Sequence, residues 1–138
     1  MERRVQVFFY GLFMDSDGLR QKGFHPGKAQ QASVEDIALQ LGERATLIPH
    51  SGGRVYGMLM SLTHAELDQL CSEPSVQAYR AEPVIAMLSD GGGVAALCFN
   101  LPTAEPGLRS NSEYAAKLRV VAKRLGLPDS YVASIGAS

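Results

Sequence analysis

The sequence has few cysteines, which bounds the kinds of site it can build. It contains two cysteines, Cys71 and Cys98, far apart and without a C-x-x-C pairing, in 138 residues. A framework of several disulfides is therefore impossible. We expect two reduced thiols in the core of an intracellular protein, with a single disulfide as the alternative.

Blocks of like charge and long apolar runs are also missing. Thirteen basic and fourteen acidic side chains give a net charge of −1, and no basic stripe stands ready to neutralise nucleic-acid phosphates. No run approaches the roughly 20 apolar residues that cross a bilayer. The apolar start of the chain is interrupted by Gln6 and Tyr10 and has no small-residue cleavage site after it. We expect a cytoplasmic protein whose partner is a small molecule rather than nucleic acid or membrane.

Several familiar catalytic motifs are absent. The three histidines, His25, His50 and His64, have no second ligand at the spacing of a zinc site. There is no G-x-S-x-G elbow for a nucleophilic serine. G-x-G-x-x-G and G-K-[ST] do not occur either. We therefore expect neither a zinc site nor a nucleotide cofactor.

What is present is typical of one globular domain spanning residues 1–138. Apolar residues make up 46% of the sequence and charged residues 20%, a composition that supports a packed core. The β-branched and aromatic residues of Arg4 to Tyr10 predict a buried first strand. After Gly11, Asp15 can cap a short helix over residues 16–22.

Most of the remaining pattern is strand. Further strands are predicted over residues 32–39, 45–48, 54–62, 79–88 and 94–99. Ser51-Gly52-Gly53 predicts a hairpin turn between the second and third of these, and Asp90-Gly91-Gly92-Gly93 predicts another between the last two.

Two capping boxes predict helices. Thr63 with Glu66 opens a short helix that Pro74 prevents from continuing. Ser110 with Glu113 follows a loop over residues 102–107 and opens a longer amphipathic helix, one face of which carries Tyr114, Leu118, Val121 and Leu125. Hairpins come first and helices late, so we predict an α+β fold around a curved, mixed, mostly antiparallel sheet.

The carboxylate of Glu73 is a candidate functional group because of its position in the sequence. Glu73 follows the short helix and precedes the strand that begins at Tyr79, so it lies at an element boundary where a pocket can form. An acidic residue before proline is most often a solvated loop residue, and position alone does not assign it a function. A second acid, Glu82, alternates with apolar neighbours in its strand and is predicted to face solvent.

Three segments in order resemble the γ-glutamylcyclotransferase-like (AIG2-like) family. The first is Tyr10-Gly11-Leu12-Phe13 after the first strand, which is similar to the family's Y-G-S-N loop. The second runs from Val55-Tyr56-Gly57-Met58-Leu59 through Leu67-Asp68-Gln69-Leu70 and Glu73 to Tyr79-Arg80. The third is Ser112-Glu113-Tyr114 followed by Leu125-Gly126-Leu127-Pro128 and Tyr131. Together they span Val5 to Ile135.

The resemblance implies a fold, a reaction and a site. The fold is a small mixed, mostly antiparallel β-barrel with short flanking helices. The reaction is cyclisation of a γ-glutamyl group, which needs no metal or cofactor and releases 5-oxoproline and a free amine or amino acid. Glu73 matches the catalytic glutamate, and Gly11 and Leu12 match residues whose backbone amides bind the substrate carboxylate. The other implied substrate-binding residues are Tyr10, Phe13, Tyr79 and Tyr114.

The chain also departs from the family pattern. Leu12-Phe13 replaces the usual Ser-Asn, and Pro74 stands where glycine usually follows the glutamate. These changes put the identity of the substrate in doubt and leave open a non-catalytic small-molecule-binding module that uses the same pocket. A structural or partner-binding domain is a third alternative.

Overall fold

A computed structural model describes residues 3–41, 45–74, 76–101 and 112–135. Its strands are β1 (Arg4–Phe9), β2 (Gln30–Leu41), β3 (Ala45–Thr63), β4 (Arg80–Leu88) and β5 (Gly93–Asn100). Its helices are a 3₁₀ turn (Leu12–Met14), α1 (Ser16–Gln21), α2 (His64–Cys71), α3 (Ser112–Arg124) and α4 (Asp129–Ser134). The predicted α+β class is confirmed. The predicted loop over 102–107 and the cap at Ser110 lie outside the described residues.

The five strands form a ring in the order β1-β3-β2-β4-β5. Neighbouring strands are antiparallel, except that β1 and β5 are parallel and pair through Val7 and Leu97. The β2–β4 pairing is also short and joins Ala32 to Leu88 and Ser33 to Met87. The sheet is therefore mixed and mostly antiparallel, as predicted. Because the β1–β5 and β2–β4 pairings are this short, the ring is not a strict barrel.

The predicted hairpin turn at Ser51-Gly52-Gly53 is wrong. These residues lie inside β3, which runs without reversal from Ala45 to Thr63 and pairs with β2 on both sides of them. The register shifts here, since Glu35 pairs with Arg54 and Ile37 pairs with Pro49. The carboxylate of Asp36, which lies between them at φ 64°, accepts a hydrogen bond of 3.1 Å from the Gly52 amide. The glycines therefore form a bulge in a long strand.

The other turn prediction is confirmed. β4 and β5 pair in register from Arg80 opposite Asn100 to Met87 opposite Gly93. At the tip, the Leu88 amide donates to the Gly92 carbonyl over 2.8 Å. The Asp90 carboxylate accepts from the Gly92 amide over 2.8 Å. Glu82 is exposed on β4, as the alternation predicted.

Both caps that fall within the described residues are present. Asp15 is the N-cap of α1, and its carboxylate accepts from the Asp17 amide over 3.1 Å. The Thr63 hydroxyl accepts from the Glu66 amide over 3.1 Å, and the Glu66 carboxylate accepts from the Thr63 amide over 2.9 Å. These bonds satisfy amides that have no partner within the helix.

The core is one cluster shared by the strands and the helices. Val7 is 0% exposed and Phe8 is 1% exposed, although neighbouring strand residues point to opposite faces. Helix residues such as Leu118 in α3 complete the cluster. A β-carbon at Gly57 would lie 2.2 Å from the Phe9 carbonyl oxygen, so only glycine allows β3 to approach the end of β1 this closely.

The two cysteines differ, which corrects the prediction of two core thiols. Both are free, but Cys98 is buried and Cys71 is exposed at the end of α2. Burial, followed by the nearby Glu82 charge, raises the pKa of the Cys98 thiol to about 12. No helix in the described part of the chain is long and apolar enough to cross a membrane.

We expect the two thiols to react separately with a colourimetric thiol reagent at about pH 8. Cys71 should react in the native protein, and Cys98 should react only after unfolding, because it is shielded and poorly ionised. Cys71→Ser should remove the native reaction and leave the reaction in denaturant. Rapid labelling of Cys98 in the native protein would contradict this arrangement.

Glu66 joins α2 to the loop before β2. Its carboxylate accepts from the Thr63 amide and from the His25 amide, and Arg4 donates to the His25 carbonyl over 2.9 Å. Burial acts to raise the pKa of Glu66, but the hydrogen bonds from Thr63 and His25 and the Arg4 charge outweigh it and lower the pKa below 4.5.

Glu66→Gln should therefore lower the free energy of unfolding by about 1 kcal/mol at neutral pH. A carboxylate whose pKa is lower in the folded state stabilises fully above its unfolded pKa, and this contribution is lost as the pH falls through the folded value. The difference between variant and wild type should therefore shrink below about pH 4.5. Urea unfolding at several pH values measures it, with the exposed Asp68→Asn as control. A difference that is constant with pH would refute the assignment.

Candidate functional site

A cavity of about 520 Å³ opens beside the C-terminal end of β1. This volume lies within the range typical of small-molecule sites. The lining is mostly apolar and comes from β1, the turn after it, α1 and its C-cap, the start of β3, α2 and its following turn, β5 and α3. The lining residues are Phe8, Phe9, Tyr10, Gly11, Leu12, Phe13, Gly18, Lys22, Ala45, Leu70, Val76, Tyr79, Phe99 and Tyr114.

Two tyrosine hydroxyls meet at one backbone carbonyl in this cavity. Tyr79 donates to the Ala45 carbonyl, and the Tyr10 hydroxyl lies 3.5 Å from the same oxygen. Tyr10 also donates to the Phe99 carbonyl over 2.7 Å. Burial is the main cause that raises the pKa of Tyr10. Tyr10 is therefore a neutral, anchored part of the wall rather than a base at neutral pH.

The turn after β1 packs against α3. The Leu12 amide donates to the Tyr114 hydroxyl over a long 3.4 Å. A β-carbon at position 11 would lie 2.8 Å from that hydroxyl, although Gly11 itself has an ordinary φ of −103°. Burial raises the pKa of Tyr114, and the Leu12 hydrogen bond opposes the shift. A neutral hydroxyl thus lies over the amide for which the resemblance implied carboxylate binding.

Three further contacts hold the same turn in place. Met14, the last residue of the 3₁₀ turn, is fully buried. Asp15 follows it and forms an ion pair with Arg124 at the end of α3. The Lys22 ammonium lies over the ring of Phe13, 5.9 Å from its centroid. The turn is therefore held in place even though its two central side chains, Leu12 and Phe13, are apolar.

Glu73 lies beside the cavity but is not among its lining residues. It is half-buried in the turn after α2, between Leu70 and Val76, both of which line the cavity. Its amide donates to the Leu70 carbonyl over 3.1 Å, and its carbonyl accepts from the Val76 amide over 2.9 Å. These two bonds fix the backbone position of Glu73 at the end of α2, and the residue as a whole is half-buried.

The six predicted substrate-binding residues all line the cavity; they are Tyr10, Gly11, Leu12, Phe13, Tyr79 and Tyr114. The sequence did not indicate Gly18 in α1 or Lys22 just after it, because neither carries a motif and both reach the cavity only through the way α1 packs. Among the described residues, no group of three or more His, Cys, Asp or Glu side chains is placed to hold a metal.

Several solved structures share this architecture. One named gamma-glutamyl cyclotransferase superposes with a TM-score of 0.82 at 18% identity, covering 98% of this chain and 88% of the other. The fold is that of the γ-glutamylcyclotransferase-like proteins. A human protein described as uncharacterised has a TM-score of 0.82 at 19% identity, covering 99% of this chain and 88% of the other. A mouse AIG2-like protein has a TM-score of 0.59 at 18% identity, covering 91% and 85%.

No family model matches the chain, and no curated protein matches it by sequence. The γ-glutamylcyclotransferase-like fold implied by the three sequence segments is nevertheless confirmed by these superpositions. At such low identity the likeness establishes the fold, and the reaction has to be argued from the cavity.

The contact between Gly11 and Tyr114 gives a direct test of the site. Gly11→Ala should lower the free energy of unfolding by about 1–2 kcal/mol, because the new methyl group meets the Tyr114 hydroxyl. The same change should cost less when combined with Tyr114→Phe, giving a coupling of at least about 0.5 kcal/mol. A double-mutant cycle in urea measures this. The pairing of Gly11→Ala with Tyr131→Phe is the control, and additivity in both cycles would contradict the contact.

Proposed function

We propose that this protein is an enzyme of the γ-glutamylcyclotransferase type. It acts on a γ-glutamyl amine or amino acid and releases 5-oxoproline and the free amine. The observation that supports this most strongly is the convergence of the turn at residues 10–13, Tyr79 and Tyr114 on one cavity of suitable size. These residues are far apart in the sequence, and the fold brings them to one cavity.

In this reaction the protein mainly has to position the substrate. The substrate's α-amine attacks its own γ-carbonyl, so one C–N bond forms within the substrate and the C–N bond to the leaving amine breaks. Because the nucleophile is tethered, the main task is to fold the substrate into its ring-closing shape. A cavity with aromatic walls and anchored hydroxyls, such as those of Tyr10 and Tyr79, restricts the chain in this way.

The Leu12 amide is the proposed anchor for the substrate's α-carboxylate. Its bond to the Tyr114 hydroxyl is long, at 3.4 Å, so a charged acceptor can replace it with a shorter and stronger one. Backbone direction rather than side-chain identity provides this contact. The replacement of the usual Ser-Asn by Leu12-Phe13 is therefore compatible with binding of the carboxylate.

Glu73 is the proposed proton carrier. The α-ammonium must lose a proton before attack, and the leaving nitrogen must gain one, so a single carboxylate can serve as base and then as acid. Glu73 lies between two lining residues, Leu70 and Val76. The proposal requires its carboxylate to turn into the cavity by a change of side-chain rotamer when substrate binds. Catalytic contacts commonly tighten only when the substrate is bound.

A binding module without catalysis is the second candidate. The lining residues within the described part of the chain include no aspartate or glutamate. A cavity with aromatic walls and no acid of its own can hold a small molecule without transferring a proton. The two candidates differ in one measurable respect, which is the release of 5-oxoproline.

Glu73→Gln should lower the rate of 5-oxoproline release by at least about 100-fold, because general acid–base catalysis contributes roughly that factor or more. Binding of the same γ-glutamyl compounds, measured by calorimetry, should change little. Product is followed chromatographically over a panel of γ-glutamyl amino acids and amines.

Glu82→Gln is the matched control, because it removes an exposed carboxylate from β4 outside the cavity. It should retain the wild-type rate. Equal turnover by the Glu73 variant would refute its assignment as proton carrier. Tight binding without any 5-oxoproline from the wild-type protein would favour the binding module.

A further inference from the structure

The turn after β1 is linked to the sheet by two series of contacts, and both begin at Met58 in β3. In the first, Met58 pairs with Phe9, the last residue of β1, from which the chain runs into the turn. In the second, Met58 pairs with Gln31 of β2. The side-chain amide of Gln31 donates to the carbonyls of Leu125 and Gly126, over 3.0 and 3.1 Å. The second series therefore joins the sheet to the C-terminal end of α3.

The C-terminal end of α3 is a closed motif. Gly126 has a φ of 81°, and the Leu127 amide donates to the Ala122 carbonyl over 3.1 Å. This is the glycine-terminated pattern that satisfies the last carbonyls of a helix. The two Gln31 bonds satisfy the carbonyls that follow it. Arg124, the last residue of α3, therefore has a defined position relative to β2.

Asp15 connects this helix end to the turn through both oxygens of its carboxylate. Oδ2 forms an ion pair with the Arg124 guanidinium, and Oδ1 accepts from the Asp17 amide over 3.1 Å at the start of α1. The Asp15 amide donates to the Leu12 carbonyl over 3.4 Å. The Asp15 side chain is only 19% exposed, so it is partly shielded from competing water. Asp15 thus joins the end of the 3₁₀ turn to α3.

The two series of contacts meet at Leu12. Its amide is 3.4 Å from the Tyr114 hydroxyl, a distance too long for that bond alone to fix the amide. The direction of the amide is therefore set by the backbone on both sides, through β1 before it and Asp15 after it. Displacing a positioning group by about 1 Å is enough to weaken an enzyme strongly.

We propose that Asp15, Arg124 and Gln31 are positioning residues that direct the Leu12 amide toward the carboxylate of the bound substrate. None of the three is among the described residues that line the cavity, so they act without touching the substrate. This inference rests on the proposed function, in which that amide binds the α-carboxylate. Loss of the ion pair should weaken substrate binding and leave the chemical step nearly unchanged, because the proposed proton carrier, Glu73, follows α2.

Arg124→Gln should raise the KM for a γ-glutamyl substrate about three- to tenfold, since a partly exposed ion pair contributes modestly. It should change kcat less than about twofold. Arg124→Lys keeps the charge and should restore most of the affinity. Lys123→Gln is the matched control, because it removes the neighbouring exposed positive charge from the same helix end and should leave the KM unchanged. An unchanged KM in Arg124→Gln, or an equal rise in Lys123→Gln, would overturn the proposal.

A double-mutant cycle separates the ion pair from the cap of α1. Asp15→Asn removes the charge, and asparagine remains a good N-cap. Its effect on KM should match that of Arg124→Gln, and the double variant should be no worse than either single variant. Thermal unfolding of all three should stay within a few degrees of wild type. Additive effects on KM would overturn positioning through the pair.

Gln31 is tested in the same way. Gln31→Met keeps the length of the side chain and removes both donors to the end of α3. It should raise the KM, and combining it with Arg124→Gln should add little, because both changes break the same series of contacts. An unchanged KM in a folded Gln31→Met variant would overturn the part assigned to Gln31.

Hydrogen exchange of the Leu12 amide, followed by NMR without substrate, tests the geometry independently of catalysis. It should be at least about tenfold faster in Arg124→Gln than in wild type and unchanged in Lys123→Gln. Unchanged exchange in Arg124→Gln would overturn the positioning in every case.

Equilibrium binding separates this inference from the proposed function. If no γ-glutamyl compound yields 5-oxoproline, the cyclotransferase proposal fails, yet faster Leu12 exchange together with weaker binding by Arg124→Gln in calorimetry still supports the positioning. If Arg124→Gln turns the compounds over with the wild-type KM, the positioning is overturned while the reaction stands. If wild type binds no γ-glutamyl compound, both proposals fail on binding, and faster Leu12 exchange alone does not rescue the positioning.

Discussion

The burial of β1 on both faces is the constraint on which the site depends. Val7 and Phe8 point to opposite faces and are both excluded from solvent, so β1 cannot shift or rotate without exposing one of them. Each such side chain contributes roughly 1.5–3 kcal/mol through burial. The strand also pairs on both edges, with β3 and with β5. The turn that follows it therefore begins from a defined position.

The turn that lines the cavity is held at both of its ends. Gly57 brings β3 close to the Phe9 carbonyl, and the ion pair of Asp15 with Arg124 ties the far end of the turn to α3. Between these fixed points, the Leu12 amide donates to the Tyr114 hydroxyl instead of to a strand partner. The fold itself is retained in solved structures at less than 20% identity.

Sequence reasoning succeeded wherever the signal was local. The capping box at Thr63 and Glu66, the Asp15 cap and the β4–β5 turn were predicted correctly, since each depends on contacts between near neighbours. It failed at Ser51-Gly52-Gly53, where glycines read as a turn proved to be a bulge. The reversal there is prevented by pairing of both flanks with β2, a contact between distant residues. The exposure of Cys71 was also not predicted, because it depends on which face of α2 packs against the rest of the protein.

The sequence by itself determined the fold class, the order of most elements and the six residues that share the cavity lining. Those followed from local propensity and from motif order, which survive when overall identity is low. Only the tertiary structure decided that β3 is a single strand, that Glu73 lies beside the lining instead of within it, and that Gly18 and Lys22 line the cavity. These depend on how elements far apart in the chain pack, and hydrophobic periodicity carries no information about which surfaces meet.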